Sequence, residues 1–478
     1  MSSTQADAPN KSMILEPDVP GTSAKFTGGA PFSKYLFMYS LAAVGIFAIW
    51  GATGGVLLPN QVQNIEFAKW FTGNDAGVNL QQLNDLKAAV AAHTVTPTAE
   101  QTRLLGLLAG FDAARASSLS IVTSVGVFLT MLSQPVAGIL SDRTKSSWGR
   151  RAPWIVGGAV LGAGLLIALR YSPSIGLMVA LWSIAQIVIN MAQGPLTTTI
   201  ADRVIEEKLG VASGITGLGT MIGATVGGVV AGLAFGALGL DTYYPFALAL
   251  AIFAILFALV ERDRSSADLV AAPMNWGGFF QSFIIPLRDA DYRWVWLAKI
   301  VMMFGYSVSY ALNFFILQSY VQPAMSQAQA TQTAPLLSLI GLPFMMIAMV
   351  VAGKWSDKIK RRKPFVFWTS IILAASLVVP LVWPSLPAML IQAVVGGLAI
   401  GAYMVVDQAL FIDIIVDKKT AGRDLGMASL GGNLGQALGP ALAGVIVALT
   451  GGYRMLYVAA VIIVLIAAAA IIPVKRAK

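Results

Sequence analysis

Between Ser33 and Val474 the chain is made almost wholly of apolar runs of membrane length, separated by short polar breaks. Twelve can be drawn: Ser33 to Leu58, Ala116 to Leu140, Pro153 to Tyr171, Ser174 to Ala201, Val211 to Leu238, Tyr243 to Val260, Tyr292 to Tyr320, Ala334 to Trp355, Pro364 to Trp383, Leu386 to Val416, Leu425 to Leu449 and Tyr453 to Val474. A helix needs about 20 mostly apolar residues to cross a bilayer. A charged fraction of 12% and a mean hydropathy of +0.73 exclude an ordinary soluble domain, which is about a quarter charged. The expected fold class is an all-α polytopic membrane protein with twelve transmembrane helices.

The chain is also duplicated. VAGILSDRTKSSWGRRAPW at Val136 to Trp154 is matched by VAGKWSDKIKRRKPF at Val351 to Phe365, an offset of 215 residues. GVASGITGLGTMIG from Gly210 aligns with GMASLGGNLGQALG from Gly426 at an offset of 216. Spans 1 to 6 and 7 to 12 are therefore a parallel repeat, the plan on which the major facilitator fold is built. This divides the chain into a disordered tail (1–32), an N-terminal six-helix half (33–260), a linker (261–291), a C-terminal six-helix half (292–474) and a short tail (475–478).

A net charge of +9 raises the question of a nucleic-acid partner. Placed on the span map, 25 of the 32 Lys and Arg fall at the two tails and the even-numbered loops, all on one side. The positive-inside rule makes that side cytoplasmic, with both termini and the linker on it, so topology accounts for the basic charge and no nucleic acid is expected. The first 30 residues lack a short apolar core, so no cleaved signal is expected. Cysteine is absent and there is one His, which excludes disulfides, thiolate chemistry and a His cluster; no cofactor or metal is expected.

The segment 66–115 is the one long insertion on the opposite side. Asn79 with Gln82 resembles a capping box and Thr96-Pro97 an N-cap with N1, predicting two short helices near the outer surface. The apolar run Leu104 to Leu140 is too long for one span, so its first part is expected to be interfacial, unless Asp112 and Arg115 pair inside the membrane mouth. His93 reads as a solvated loop residue.

Polar side chains within spans face the bundle interior or a watery cavity. Gln186, Asn190, Gln193 and Thr197 share one face of span 4, and Gly194-Pro195 interrupts the helix among them. Span 1 places Tyr39, Trp50, Thr53 and Asn60 together. Span 7 aligns Lys299, Tyr306, Tyr310, Asn313 and Tyr320, of which Lys299 and Tyr320 read as interfacial anchors. Gln392, Tyr403 and Asp407 lie on span 10, and Ser429, Asn433 and Gln436 on span 11. Rings beside amides and hydroxyls suit a sugar, whose C–H faces stack while its hydroxyls need donors and acceptors. The substrate-contact candidates are Gln186, Asn190, Gln193, Thr197, Trp50, Tyr306, Tyr310, Asn313, Tyr403 and Asn433. Glycines at every fourth position of span 5, Gly219, Gly223 and Gly227 and then Gly228, Gly232 and Gly236, form ridges for close, sliding helix contact.

Asp407 is the most deeply placed acid. A lone carboxylate there is costly and should be neutral for part of its life, as a proton-coupling residue must be; the alternative is a structural hydrogen bond or a pair with a distant Lys or Arg. Asp202 and Asp413, at the ends of spans 4 and 10, are expected to meet loop bases or to cap neighbouring helices. In the duplicated loops, Asp142 with Arg143, Arg150 and Arg151, and Asp357 with Lys358, are gate candidates, expected to touch helix N-termini of the neighbouring half in one conformation only.

With the duplicated GxxxSD loop and the parallel halves, the chain resembles major facilitator superfamily transporters. The SDRTKSSWGRRAPW loop, with Gly149-Arg150-Arg151 set far after Asp142, and the QGP of span 4 followed by Ala201-Asp202, resemble the glycoside-pentoside-hexuronide cation symporters, especially the sucrose/proton branch. That resemblance implies proton-coupled uptake of a disaccharide such as sucrose or maltose by a monomer in a bacterial cytoplasmic membrane, with protons, sugar and membrane lipid as its only partners. In the plant members an Asp lies seven residues before the QGP glutamine and an Arg four after it; here these positions are Gln186 and Thr197. The proton site is then Asp407, or the protein is a uniporter. A sodium-coupled symporter, a drug or metabolite exporter and, last, an intramembrane enzyme are the rivals.

Overall fold

The computed structural model describes residues 14–15, 23–269, 277, 284–415 and 421–476. Helix α1 (Gly29–Ala52) passes through one π-helical turn, Thr53–Leu57, into α2 (Leu58–Trp70). The short α3 (Leu80–Ala91) precedes α4 (Ala99–Asp142), α5 (Ala152–Arg170), α6 (Ile175–Arg203), α7 (Glu206–Leu238) and α8 (Tyr243–Val260). The second half holds α9 (Ala290–Tyr310), α10 (Asn313–Ser319), α11 (Gln327–Ile359), α12 (Lys363–Val382), α13 (Leu386–Ile414), α14 (Ala421–Thr450) and α15 (Arg454–Ala470). With α1/α2 and α9/α10 each counted as one broken span and α3 set aside, these are twelve spans in two halves.

Local chemistry sets the helix starts. Thr98 with Gln101 and Ser326 with Gln329 form reciprocal capping boxes at the second span of each half, and Ser174 and Ser385 cap the fourth spans. Within each half the first span packs on the fifth, the second on the fourth and the third on the sixth. The halves meet through α4 against α14 and α7 against α11.

Glycine makes those contacts possible. A Cβ on Gly227 would lie 2.4 Å from the Ala48 Cα of α1, and one on Gly51 would lie 1.7 Å from the Ala224 carbonyl oxygen of α7. Gly232 brings α7 to the Thr331 carbonyl of α11, and Gly444 brings α14 to Ser120 of α4, so the same device joins the halves. Gly219 and Gly236, read as part of the ridges, face open space.

Three expectations are corrected. The stretch read as a disordered tail, most of which lies outside the described residues, is ordered from Ser23 onward: Lys25–Phe26 pairs with Ile14–Leu15, Phe26 is buried against Tyr35, and α1 begins at Gly29. The insertion contains one short helix, α3, rather than two. Its second helical segment runs unbroken into the membrane as α4, whose 44 residues reach roughly 66 Å, far beyond a bilayer core of about 30 Å. Its cap is Thr98, not Thr96, because the Thr98 hydroxyl accepts from the Gln101 N–H while the Gln101 side chain returns to the Thr98 N–H. The projecting end is wrapped by its own small core of Phe71, Leu83, Leu108 and Phe111, and Arg103 donates to Asp75 across 2.7 Å, holding that carboxyl below the usual carboxylate range. Most of the linker's middle, 270–276 and 278–283, lies outside the described residues.

The glycine contacts give a direct test. Gly227→Ala drives a methyl into the backbone of α1 and is expected to lower the unfolding temperature of the purified protein, a cost of about 1–3 kcal/mol. Gly219→Ala meets nothing and should be neutral or slightly stabilising, because alanine is the better helix former. Equal effects in a thermal unfolding assay would refute close α1–α7 packing.

Candidate functional site

The first span of each half is broken, and a cavity of about 240 Å³ is lined by residues at both breaks. On one side the π-helical turn presents Gly54 and Gly55, with Trp50 a turn earlier; on the other the chain bends by 42° between α9 and α10, exposing Tyr310, Ala311 and Asn313. Thr225 of α7 and Ser338 of α11 complete the polar lining. The Asn313 Oδ1 atom is buried with no hydrogen-bond partner, an acceptor held ready at the wall. The rings of Tyr306 and Tyr310 lie 4.7 Å apart, so Tyr306 backs Tyr310.

The α6 stripe is engaged with protein partners, and of its four residues Gln193 is the one bonded to a cavity-lining side chain. Gln193 accepts from the Trp50 indole N–H at 3.0 Å. Gln186 is held within its half: its oxygen accepts from Trp182 Nε1 at 2.6 Å and its nitrogen donates to Thr130 and the Gly126 carbonyl. Asn190 accepts from Gln134 Nε2 at 3.1 Å, and Gln134 in turn accepts from Asn433 Nδ2 at 3.4 Å, which links α6, α4 and α14 across the two halves. Thr197 bonds its own helix at the Gln193 carbonyl and is exposed. Of the ten contact candidates, Trp50, Tyr310 and Asn313 line the cavity and Gln193 is one hydrogen bond away. Gln134 and Thr130 escaped the sequence reading, although their four-residue spacing on span 2 is the same signal that singled out span 4.

Asp407 lies off the cavity and is not a lone carboxylate. Its Oδ2 is 3.0 Å from Lys299 Nζ, its Oδ1 accepts from the Tyr403 hydroxyl one turn earlier at 3.2 Å, and it is 2% exposed. Lys299 also sits 5.0 Å above the Phe411 ring. The reading of Lys299 as an interfacial anchor is therefore wrong: with no water to solvate either group, the two charges are brought together. Tyr403, offered as a substrate contact, is engaged with Asp407 and does not line the cavity.

The duplicated loops form staples within each half. Arg151, 3% exposed at its side chain, contacts Asp142 at 2.5 Å and Asp202 at 2.9 Å, and Arg150 adds a second bond to Asp202 at 2.7 Å. In the other half Arg362 bridges Asp357 at 3.2 Å and Asp413 at 3.0 Å. Arg143 forms the C-cap of α4 and Lys358 lies in the last turn of α11. Among the described residues, Asp142 and Asp357 each pair with an arginine of their own half.

Among the described residues, most hydrogen bonds that join the halves, the Asn433–Gln134 bond apart, lie on the insertion face. Arg115, wholly buried, pairs with Asp112 at 2.7 Å and reaches Gln63 in its own half and Gln318 and Ser319 in the other. This is the alternative raised for Asp112 and Arg115, a pair inside the membrane mouth. Nearby, Asn60 accepts from Gln327 and Thr331 across the same seam.

Comparison with known proteins decides the family. The Major Facilitator Superfamily model matches residues 104–349 and 295–478. The chain belongs to the Major Facilitator Superfamily. Among solved structures it is similar in fold to the nucleoside transporter NupG (TM-score 0.66, 13% identity, 93% of this chain and 100% of that one). It is similarly close to a bacterial homolog of the human lysosomal transporter Spinster in an inward-facing, unoccupied conformation (TM-score 0.65, 14% identity, 93% and 97%). An uncharacterized symporter of Synechocystis sp. is 45% identical over 53 residues, 11% of this chain. An MFS-type transporter 1 of Ophiocordyceps sp. is 24% identical over 317 residues, 65% of this chain. The chain spans 9% and 66% of the lengths of these two relatives. As a superfamily member it is a multi-pass membrane transporter, not an enzyme.

The buried pair predicts a thermodynamic coupling. Lys299→Met alone strands Asp407 and should cost about 3–5 kcal/mol of stability, while adding Asp407→Asn to it should recover most of the loss. Losses that simply add in a double-mutant cycle would show that the two side chains do not interact.

Proposed function

We propose that this transporter takes up a small neutral sugar together with a proton, moving it by alternating access through the cavity between the two broken spans. The carrying observation is the geometry of α9: Lys299 pairs with Asp407 at one level, while Tyr310, three turns along the same helix, lines the cavity. A proton on Asp407 removes the charge that holds Lys299. Helix α9 is then free to shift, and the cavity wall shifts with it. Trp50 and Tyr310 supply ring faces, while Asn313 and, behind Trp50, Gln193 supply hydrogen-bonding groups for hydroxyls. The wall carries no charged side chain, as suits a neutral substrate.

At about 240 Å³ the cavity falls below the roughly 300–1,000 Å³ that encloses drug-sized ligands. It suits a single sugar ring in this conformation, and a disaccharide such as sucrose or maltose requires the halves to part. In this reading the basic face is cytoplasmic, both termini lie on it, the protein acts as a monomer in a bacterial inner membrane, and the Arg151 and Arg362 staples stiffen each half for rocking about the glycine contacts. A second reading, a uniporter, draws on the same ion pair: Lys299 already neutralises Asp407, so transport without a proton is chemically complete.

Proteoliposomes separate the two. A symporter accumulates labelled glucose, sucrose or maltose against a gradient when the outside is acidified, and Asp407→Asn abolishes accumulation while sugar exchange persists. Normal accumulation by Asp407→Asn would remove that residue from coupling, exchange without accumulation in the parent protein would favour the uniporter, and absence of any sugar exchange would refute the sugar assignment.

A further inference from the structure

A second cavity, of about 250 Å³, lies on the insertion face and shares no lining residue with the central one. Its walls come from three places: α2 (Gln63, Asn64), the start of α3 (Asn79, Gln81) and the second half (Gln318, Gln327). Six amides on one small cavity carry both donors and acceptors, no charged side chain joins them, and Phe67 adds a ring face.

Arg115 determines how two of these amides are oriented. Its guanidinium donates to Gln63 Oε1 at 2.8 Å and to Gln318 Oε1 at 3.3 Å. A guanidinium has no acceptor, so it draws both amide oxygens toward itself and leaves both NH2 groups unspent. Gln63 Nε2 and Gln318 Nε2 are indeed buried without a partner, and a donor left so costs about 1–3 kcal/mol. The insertion closes the cavity by clamping the other half, with Gln81 Nε2 donating to the Ala324 carbonyl at 2.9 Å and Ala324 N–H donating to Asp85 at 3.2 Å.

We infer that this outer cavity is a second binding site, for a small neutral polyhydroxylated solute, and that it exists only while the halves are closed on the insertion face. Parting the halves separates Gln318 and Gln327 from Gln63, Asn64 and Gln81 and dismantles the site. A solute bound there favours the closed state by its whole difference in affinity between the two states. The insertion thus gives the transporter a brake, applied by solute on its own side of the membrane. The inference rests on this cavity alone and stands whether or not the central cavity carries a sugar.

The chain has no cysteine, so Ala68→Cys and Ala328→Cys, both exposed and in opposite halves, provide a unique pair for spin labels. Pulsed electron paramagnetic resonance in nanodiscs then reads the distance across the insertion face with and without glucose. Glucose is expected to enlarge the short-distance population in this parent, and equally in a central-cavity variant, Trp50→Phe with Asn313→Ala. Gln318→Glu or Gln63→Glu keeps the acceptor for Arg115 but deletes the unspent donor. Each should raise the glucose concentration for half-maximal closure about tenfold. The inference is overturned if glucose leaves the parent distances unchanged, if both Glu variants respond as the parent does, or if the central-cavity variant loses the response. Absence of sugar exchange in proteoliposomes would not bear on this result.

Discussion

Lipid offers no hydrogen bonds, so every polar group carried into the bilayer has to be met by another part of the same chain. That constraint explains most of what is unusual in this transporter. Lys299 and Asp407 find each other across α9 and α13; Asn190, Gln134 and Asn433 are strung into a chain of amides; and Arg115 collects Asp112, Gln63, Gln318 and Ser319 at the closed seam. The constraint is left unmet at Asn313 Oδ1 and at the two glutamine donors under the insertion, whose residues line the two cavities.

Duplication repeats the physical devices as well as the topology. Each half starts its second span with a capping box, breaks its first span at the central cavity, and staples two acids with one arginine, Arg151 between Asp142 and Asp202, Arg362 between Asp357 and Asp413. The halves differ where function must be asymmetric. The Lys–Asp pair belongs to the second half, whereas the insertion and the Trp50–Gln193 bond belong to the first. A transporter whose halves rock as rigid bodies needs stiff halves and a loose seam. In the proposed rocking motion the arginine staples stiffen each half, while the glycines of α7 and α14 give the seam smooth, closely packed surfaces.

Much of this was legible in the sequence because it is written in periodicity and repetition. Twelve apolar runs gave the spans, the 215-residue offset gave the halves, and the tyrosines of α9 and the amides of α6 were recognised by their spacing. What escaped depends on distances between spans. Lys299 resembles an anchor until α9 is packed on α13, because its partner is 108 residues away. The pairing of Asp142 with Arg151 likewise depends on how the loop between them folds. Gln186 and Asn190 looked like substrate contacts because spacing shows a shared face but not which neighbour that face meets. The cap at Thr98 rather than Thr96, a local matter, was missed because Pro97 drew the helix start two positions too early.

Proton-coupled transport requires that protonation of Asp407 be tied to solute movement. The most direct measurement is the external pH of a weakly buffered suspension of proteoliposomes when sugar is added with no imposed gradient. Coupled entry of sugar and protons predicts a transient alkalinisation outside, abolished in Asp407→Asn. Sugar entry with no change in external pH would contradict coupling through the Lys299–Asp407 pair.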